Sequence, residues 1–245
     1  MSYEDIYSPC ILSSDIASKL IRATIGIHGT ADVITKCFPH AVFFQIFSHY
    51  RKLNVVDFAH TAFGAACPVP VYSDDEGTLA QDVSLIKHGQ FDNCMTNKKT
   101  AAALSLPLTG NARRPIHKTT PEIHIRNLAV IPGKDKLPDM IASIKDGFYL
   151  KEGSDSEGLI EGDYACRISL GYRIKDGELR EEIRNAAAWG MSLDFLRSIS
   201  MISDDFKWYP DDYIEWNGVN AAVGAPSIMA DVSIGPDPTL TEGFN

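Results

Sequence analysis

Nowhere in the 245 residues do about 18 apolar residues run together, so no helix long enough to span a bilayer is encoded. The N-terminus, MSYEDIYSPC, carries acids where a signal peptide carries bases. A soluble, cytoplasmic protein with no membrane partner is expected. Basic residues are scarce: 23 Lys and Arg stand against 32 Asp and Glu, a net charge of -9. Binding to a phosphate backbone needs clustered cations, so nucleic acid is excluded as a partner. The five cysteines, at 10, 37, 67, 94 and 166, are scattered and never form Cys-x-x-Cys. That pattern predicts reduced, mostly buried thiols. The seven histidines lack the i, i+4 spacing of a helical metal site, and His117 and His124 fall in a Pro-bounded polar stretch that predicts a loop. Gly-x-Ser-x-Gly and Gly-rich phosphate loops are both missing, which removes the nucleophile elbow and the nucleotide cradle.

What is present is ample apolar material, 44% of residues, with no low-complexity linker. One continuous α+β domain over residues 1–245 is the simplest organisation: mainly antiparallel, barrel-like sheet with hairpins and a few packed helices. ILSSDIASKLIRATI, residues 11–25, places Ile11, Ile16, Leu20, Ile21 and Ile25 near helical spacing, with Ser13 or Ser14 as N-cap and Gly26 as the stop. SLIKHGQFDNC, SIKDGFYLKEG and GYRIKDGELREEI predict three hairpins, with Asp146-Gly147 and Asp176-Gly177 as type I′ turn pairs. Short helices are expected over Thr100–Leu106, ended by Pro107, over PDMIASI, and over SLDFLRSISMI with Leu193, Leu196, Ile199 and Ile202 on one face. The stretch AVFFQIFSHYRKLNVVDFAH fits strand or helix equally well.

Four groups of residues are candidates for chemistry. Asp74, Asp75 and Glu76 in SDDEG could hold a hard cation through oxygen, although the alternation of an EF-hand is missing and a capping turn explains them as simply. Asp204-Asp205 and Asp211-Asp212 follow element ends and are expected as surface charge. Arg113 and Arg114, after TGNA, have the planar fork that clamps carboxylates, and Asn111 precedes them; pairing of one of them with acids of this chain or a partner is the equal alternative. Cys166 alternates along a predicted strand and is expected as a core thiol.

The order of blocks is more specific than any one of them. YSDDEGT, LIKHGQFDNCMTNKKTAAALSLPLTGNARR, NLAVIPGKDKLPDMIASIKDGFYL, GYRIKDGELREEIRN and SISMISDD with GAPSIMADVSIG together resemble the C-terminal domain of the TldD/PmbA (TldE) metallopeptidase family. The likeness covers nearly the whole chain, as if that C-terminal half stood without the family's N-terminal domain. Catalytic TldD-type members carry His-Glu-x-x-x-His on a helix, and the resemblance puts Arg22, Ala23 and Ile27 at those three positions. His28 then falls one residue out of register, about 100° around a regular helix. The cysteine ligand that TldD members carry near the end has no counterpart in NGVNAAVGAPS. The resemblance therefore implies a TldE-like subunit without catalytic residues or a metal of its own. It would pair with a TldD-like zinc peptidase that holds the zinc and processes peptides, including precursors of modified peptide natural products. Two other readings stand beside it: a metal-independent enzyme using Asp74, Asp75, Glu76 or Arg113, and a stand-alone peptide-binding scaffold.

Overall fold

The computed structural model describes residues 6–37, 50–158, 163–211 and 218–236. The chain opens with strand β1 (Ile6–Leu12), helix α1 (Ser14–Ile21), a π turn (Arg22–Gly26) and helix α2 (Ala31–Cys37). Strands β2 (Val55–Phe58), β3 (Thr61–Ala62), β4 (Ala65–Ala66), β5 (Val83–Lys87) and β6 (Gln90–Phe91) precede helix α3 (Lys98–Leu104). Then come β7 (Ala112–Arg113), β8 (Glu122–Ile123), β9 (Asn127–Val130) and helix α4 (Leu137–Ser143). Two long strands, β10 (Asp146–Gly158) and β11 (Asp163–Lys175), lead to β12 (Glu178–Ile183), β13 (Ala186–Met191) and helix α5 (Ser192–Ser198). Strands β14 (Met201–Ile202), β15 (Lys207–Pro210), β16 (Ala222–Ala225) and β17 (Ile228–Pro236) are the last elements among the described residues.

These strands make two main sheets. In the first, β1, β10, β11, β13 and β17 follow in order, and β17 pairs back onto β1, so five strands close on themselves. Closure removes the open edges of these strands. Alternation fills the interior: Tyr164, Cys166 and Ile168 of β11 and Ile228, Ala230, Val232 and Ile234 of β17 are all buried. Small partners such as Cys166 opposite Ala188 leave room for the larger ones. The second sheet has the order β15, β16, β9, β2, β5, β6.

Helix α1 lies between the two sheets. Ser13 caps it by accepting from the Ile16 amide at 3.3 Å, while its hydroxyl donates to the Lys151 carbonyl at 2.7 Å. Ile16, Ala17, Leu20 and Ile21 are fully buried, each larger side chain contributing roughly 1.5–3 kcal/mol. On the barrel side, Gly153 permits the approach: a Cβ there would stand 2.6 Å from Ile16 Cδ1. The helix starts after the expected Ser13 cap, and Ile11 and Leu12 of the apolar pattern fall outside it because they pair with both β10 and β17.

Two of the three predicted hairpins form, β5–β6 across His88-Gly89 and β11–β12 across Asp176-Gly177. In the latter the two turn residues have φ of 50° and 77°, as a type I′ turn requires. Asp146-Gly147 is no turn. Both residues already pair with β11, and Gly147 is needed because a Cβ would meet the Pro9 carbonyl at 2.2 Å. The last predicted helix is shorter than its apolar periodicity, since Ile202 belongs to β14, paired with Ile228. Of the ambiguous stretch, residues 41–49 lie outside the described part, and Val55–Phe58 is strand. Among the described residues no helix is long and apolar enough to cross a membrane.

A fully buried ion pair sits in the second sheet. Asp57 of β2 accepts from Arg126 Nε at 2.8 Å, from the backbone amides of Arg126 and Asn127, and from Asn111 Nδ2 at 2.8 Å. Arg126 spends its other donors on the carbonyls of Thr109, Gly110, Asp57 and Gln81. Both side chains are 0% exposed. Removing one partner leaves the other charge buried without compensation, so Asp57→Ala is expected to cost about 3–5 kcal/mol in urea unfolding. A loss under 1 kcal/mol would show that the pair does not organise the sheet.

Candidate functional site

The π turn is the local feature that stands out in α1. Residues five apart on a regular α-helix are rotated by about 140°. A π turn closes i→i+5 bonds and swings such residues toward one face, and such turns are frequent at functional sites. Here the π turn spans Arg22–Gly26 with Ile27 as its C-cap, so positions 22 and 27 are rotated less from each other than a regular α-helix would leave them. Arg22 donates from Nε to Asp211 at 2.6 Å, joining α1 to the segment after β15. Ala23 is fully buried, and Ile27 is partly exposed. His28 is buried, with Nδ1 2.6 Å from the Thr24 carbonyl. A carbonyl only accepts, so Nδ1 carries the hydrogen. The regular-helix register argued from sequence thus needs amending: the π turn, not a uniform 100° step, sets which positions share a face.

Asp211, expected as surface charge, is 7% exposed and forms this ion pair, while Asp212 lies outside the described residues. Asp205 is likewise engaged, accepting from Ser203 Oγ at 2.8 Å, the Ser227 amide at 2.6 Å and Ser227 Oγ at 2.7 Å. Arg22 and Ser227 are distant in sequence from these acids, so adjacency of acids gave no signal.

The acids of SDDEG are bound to backbone. Asp74 accepts from the amides of Glu76, Thr78 and Ala112 at 3.0, 2.8 and 3.1 Å. Asp75 accepts from the Arg114 amide at 2.6 Å, and Glu76 from the Lys98 amide, at the first turn of α3, at 2.8 Å. The SDDEG and TGNARR blocks therefore hold each other: two carboxylates cup the backbone on either side of Arg113. Asn111 is buried beneath, giving Nδ2 to Asp57 and to the His124 carbonyl. The two sets of predicted residues are thus brought together, but Arg22, Ala23 and Ile27 are joined to neither by any hydrogen bond described.

The side chain of Arg113 forms no hydrogen bond or ion pair with any described residue, and its Nη1 is buried without a partner. Beside it is His124, read from sequence as loop, whose Nε2 is buried and also unpartnered. Burial, above all, holds the imidazole below its ordinary range, with Arg113 and Lys118 adding to the effect and Glu122 and Asp32 opposing it. The thiols of Cys67 and Cys94 are pushed up to about 11 by burial and that of Cys10 higher still, so none is a thiolate nucleophile at neutral pH. Among the described residues no three His, Cys, Asp or Glu side chains gather as a metal site would require.

A closed barrel packed on a helix that runs into a π turn, with the SDDEG and TGNARR loops locked together, makes an α+β domain. Residues 7–235 match the PmbA/TldA metallopeptidase C-terminal domain, and the chain belongs to this family. It is similar to a zinc metalloprotease TldD homolog of Saccharolobus solfataricus, 34% identical over 160 residues that cover 64% of this chain and 36% of that protein. A metalloprotease of Synechocystis is 27% identical over 242 residues, 94% of this chain and 50% of that protein. The crystal structure of TldE from Thermococcus kodakarensis shares the fold with a TM-score of 0.77 at 19% identity, over 96% of this chain and 51% of the other. The chain thus spans between about a third and a half of these relatives.

Because His124 has a lowered pKa in the folded protein, the unfolded chain binds a proton near pH 6.5 that the folded one refuses. Stability from this group is full above that pH and falls as pH drops toward the lower, folded value. His124→Gln should therefore flatten the decline of the urea midpoint between pH 7.5 and pH 5.5; an unchanged decline would assign the acid sensitivity elsewhere.

Proposed function

We propose that this chain is a non-catalytic, TldE-like subunit of a heteromeric TldD/TldE-type zinc peptidase that acts on peptides in the cytoplasm. The observation that carries this reading is the Arg22–Asp211 pair on the π turn. The helix has the geometry that would turn positions 22 and 27 together, but the side chains there are a guanidinium and a sec-butyl group. Neither offers a lone pair to zinc, and a permanent cation repels a dication at this range. The residues present do not fit the metal, and no step is assigned to one in this chain. Zinc belongs to the partner, whose peptidase activity would mature peptides, modified peptide natural products among them.

The rival reading, a metal-independent enzyme built on Asp74, Asp75 and Glu76, is weakened by the same geometry. Their carboxylates accept from backbone amides, which leaves no oriented base for a substrate. A stand-alone scaffold would need neither partner nor metal.

Two measurements test the proposal. Purified alone, the chain should carry no stoichiometric zinc, whereas a complex co-expressed with a TldD-type homologue encoded beside it should carry one zinc per partner and cleave peptides. Zinc bound by this chain's own side chains, or hydrolysis by the lone chain, would overturn it. The triple variant Arg22→His, Ala23→Glu, Ile27→His should remain inactive by itself, because a cysteine ligand is still missing; peptide cleavage by that variant would show that the site needs nothing more.

A further inference from the structure

A half-buried guanidinium without an acceptor is out of place in a chain with nine more acids than bases. Buried donors nearly always have partners, so an orphaned one calls for a cause. The natural counter-ion is close at hand. Arg113 of β7 stands directly opposite Glu122 of β8, but Glu122 accepts instead from Lys118 at 2.7 Å. Alternation along the ribbon puts Asn111, Arg113, Glu122 and His124 on one side and the buried Ala112 and Ile123 on the other. The amide of His124 bonds the Asn111 carbonyl at 3.0 Å, so the ladder continues and the His124 side chain is diagonal to that of Arg113. The mount is rigid. Asp74 and Asp75 fix the amides of Ala112 and Arg114, and Asp57 fixes Asn111, so Arg113 projects from a backbone anchored on both flanks.

We propose that Arg113 and His124 form a binding site for a carboxylate, in which the Arg113 fork and the His124 Nε2–H donate to its two oxygens. Both side chains are part-exposed, so a rotamer change in either presents its buried nitrogen to a ligand. A neutral histidine, as burial favours here, still donates from one ring nitrogen. Glu122 and Asp32 also act on this imidazole, and their negative charge selects a singly charged acceptor over a phosphate dianion. The chemistry stands whether or not a peptidase partner exists; only the choice of peptide as carrier of the carboxylate rests on the function proposed above.

The test is an NMR titration of the full chain, with labelled arginine and histidine, against N-acetyl-trialanine as free acid, the same peptide as its C-terminal amide, an amidated peptide with one aspartate, and inorganic phosphate. We expect saturable shifts of the Arg113 and His124 side-chain signals with the free acid, none with the plain amide, and binding at least tenfold weaker in Arg113→Gln. Binding of the aspartate peptide equal to that of the free acid makes any peptide carboxylate the ligand; binding of the free acid alone makes it the C-terminus; both support the site. Equal response to acid and plain amide, tighter binding of phosphate, or unaltered affinity in a folded Arg113→Gln would overturn it. Should that variant fail to fold, the comparison of ligands on the unsubstituted chain decides the matter. Loss of zinc or peptidase activity in a partner complex leaves these shifts untouched, so this site and the partner reading fail separately.

Discussion

The buried Asp57–Arg126 pair is the interaction on which the second sheet and its loops depend. Two charges removed from water are stable only when every donor and acceptor is satisfied. Asp57 meets that demand with two backbone amides, an asparagine amide and the guanidinium, while Arg126 reaches four carbonyls. Those partners lie on β2, β9 and the segments at 81 and 109–111. One ion pair therefore fixes the position of the loop that carries Asn111 and, with it, the direction in which Arg113 leaves the surface.

The same economy governs the two most recognisable sequence blocks. SDDEG and TGNARR look like chemistry because they concentrate charge and turn-forming residues. In the fold most of that charge is structural: carboxylates tie down amides, and Glu76 completes the start of α3, where Asn97 and Thr100 already form a reciprocal cap. What remains uncommitted is the Arg113 guanidinium with the His124 imidazole beside it. At the other candidate position the logic is reversed. Arg22, at a place where relatives of catalytic type are expected to hold a metal, is neutralised by Asp211 from across the fold. A fixed cation and its counter-ion join α1 to the segment after β15.

How far the sequence disclosed this varied with the range of the interaction. Local rules worked where local energies decide: the Ser13 cap, the β11–β12 hairpin across Asp176-Gly177 and the inward thiol of Cys166; the helix expected over Thr100–Leu106 forms two residues earlier, at Lys98–Leu104, because Asn97 and Thr100 cap it. They failed where a tertiary contact competes. Asp146-Gly147 has the composition of a turn, yet Gly147 is there for the Pro9 carbonyl. Ile11 continues an apolar helical pattern, yet two neighbouring strands claim it. Asp57 and Arg126, 69 residues apart, gave no signal at all. His124 offered a faint one, an imidazole alternating with Ile123 and Ile125 in the loop that follows β8.

By itself the sequence determined the class of fold, through alternating strands and paired turn residues, and the family, through the order of its blocks. It also fixed the chemical identities at positions 22, 23 and 27, which no folding can change. Only the tertiary structure decided what those identities meet: that a π turn rotates position 27 toward 22, that Asp211 answers Arg22, and that Lys118 rather than Arg113 takes Glu122. The reason is physical. Propensity and periodicity act over a few residues and survive in the chain as pattern, whereas ion pairing and burial depend on distances that exist only once the two sheets have closed around α1.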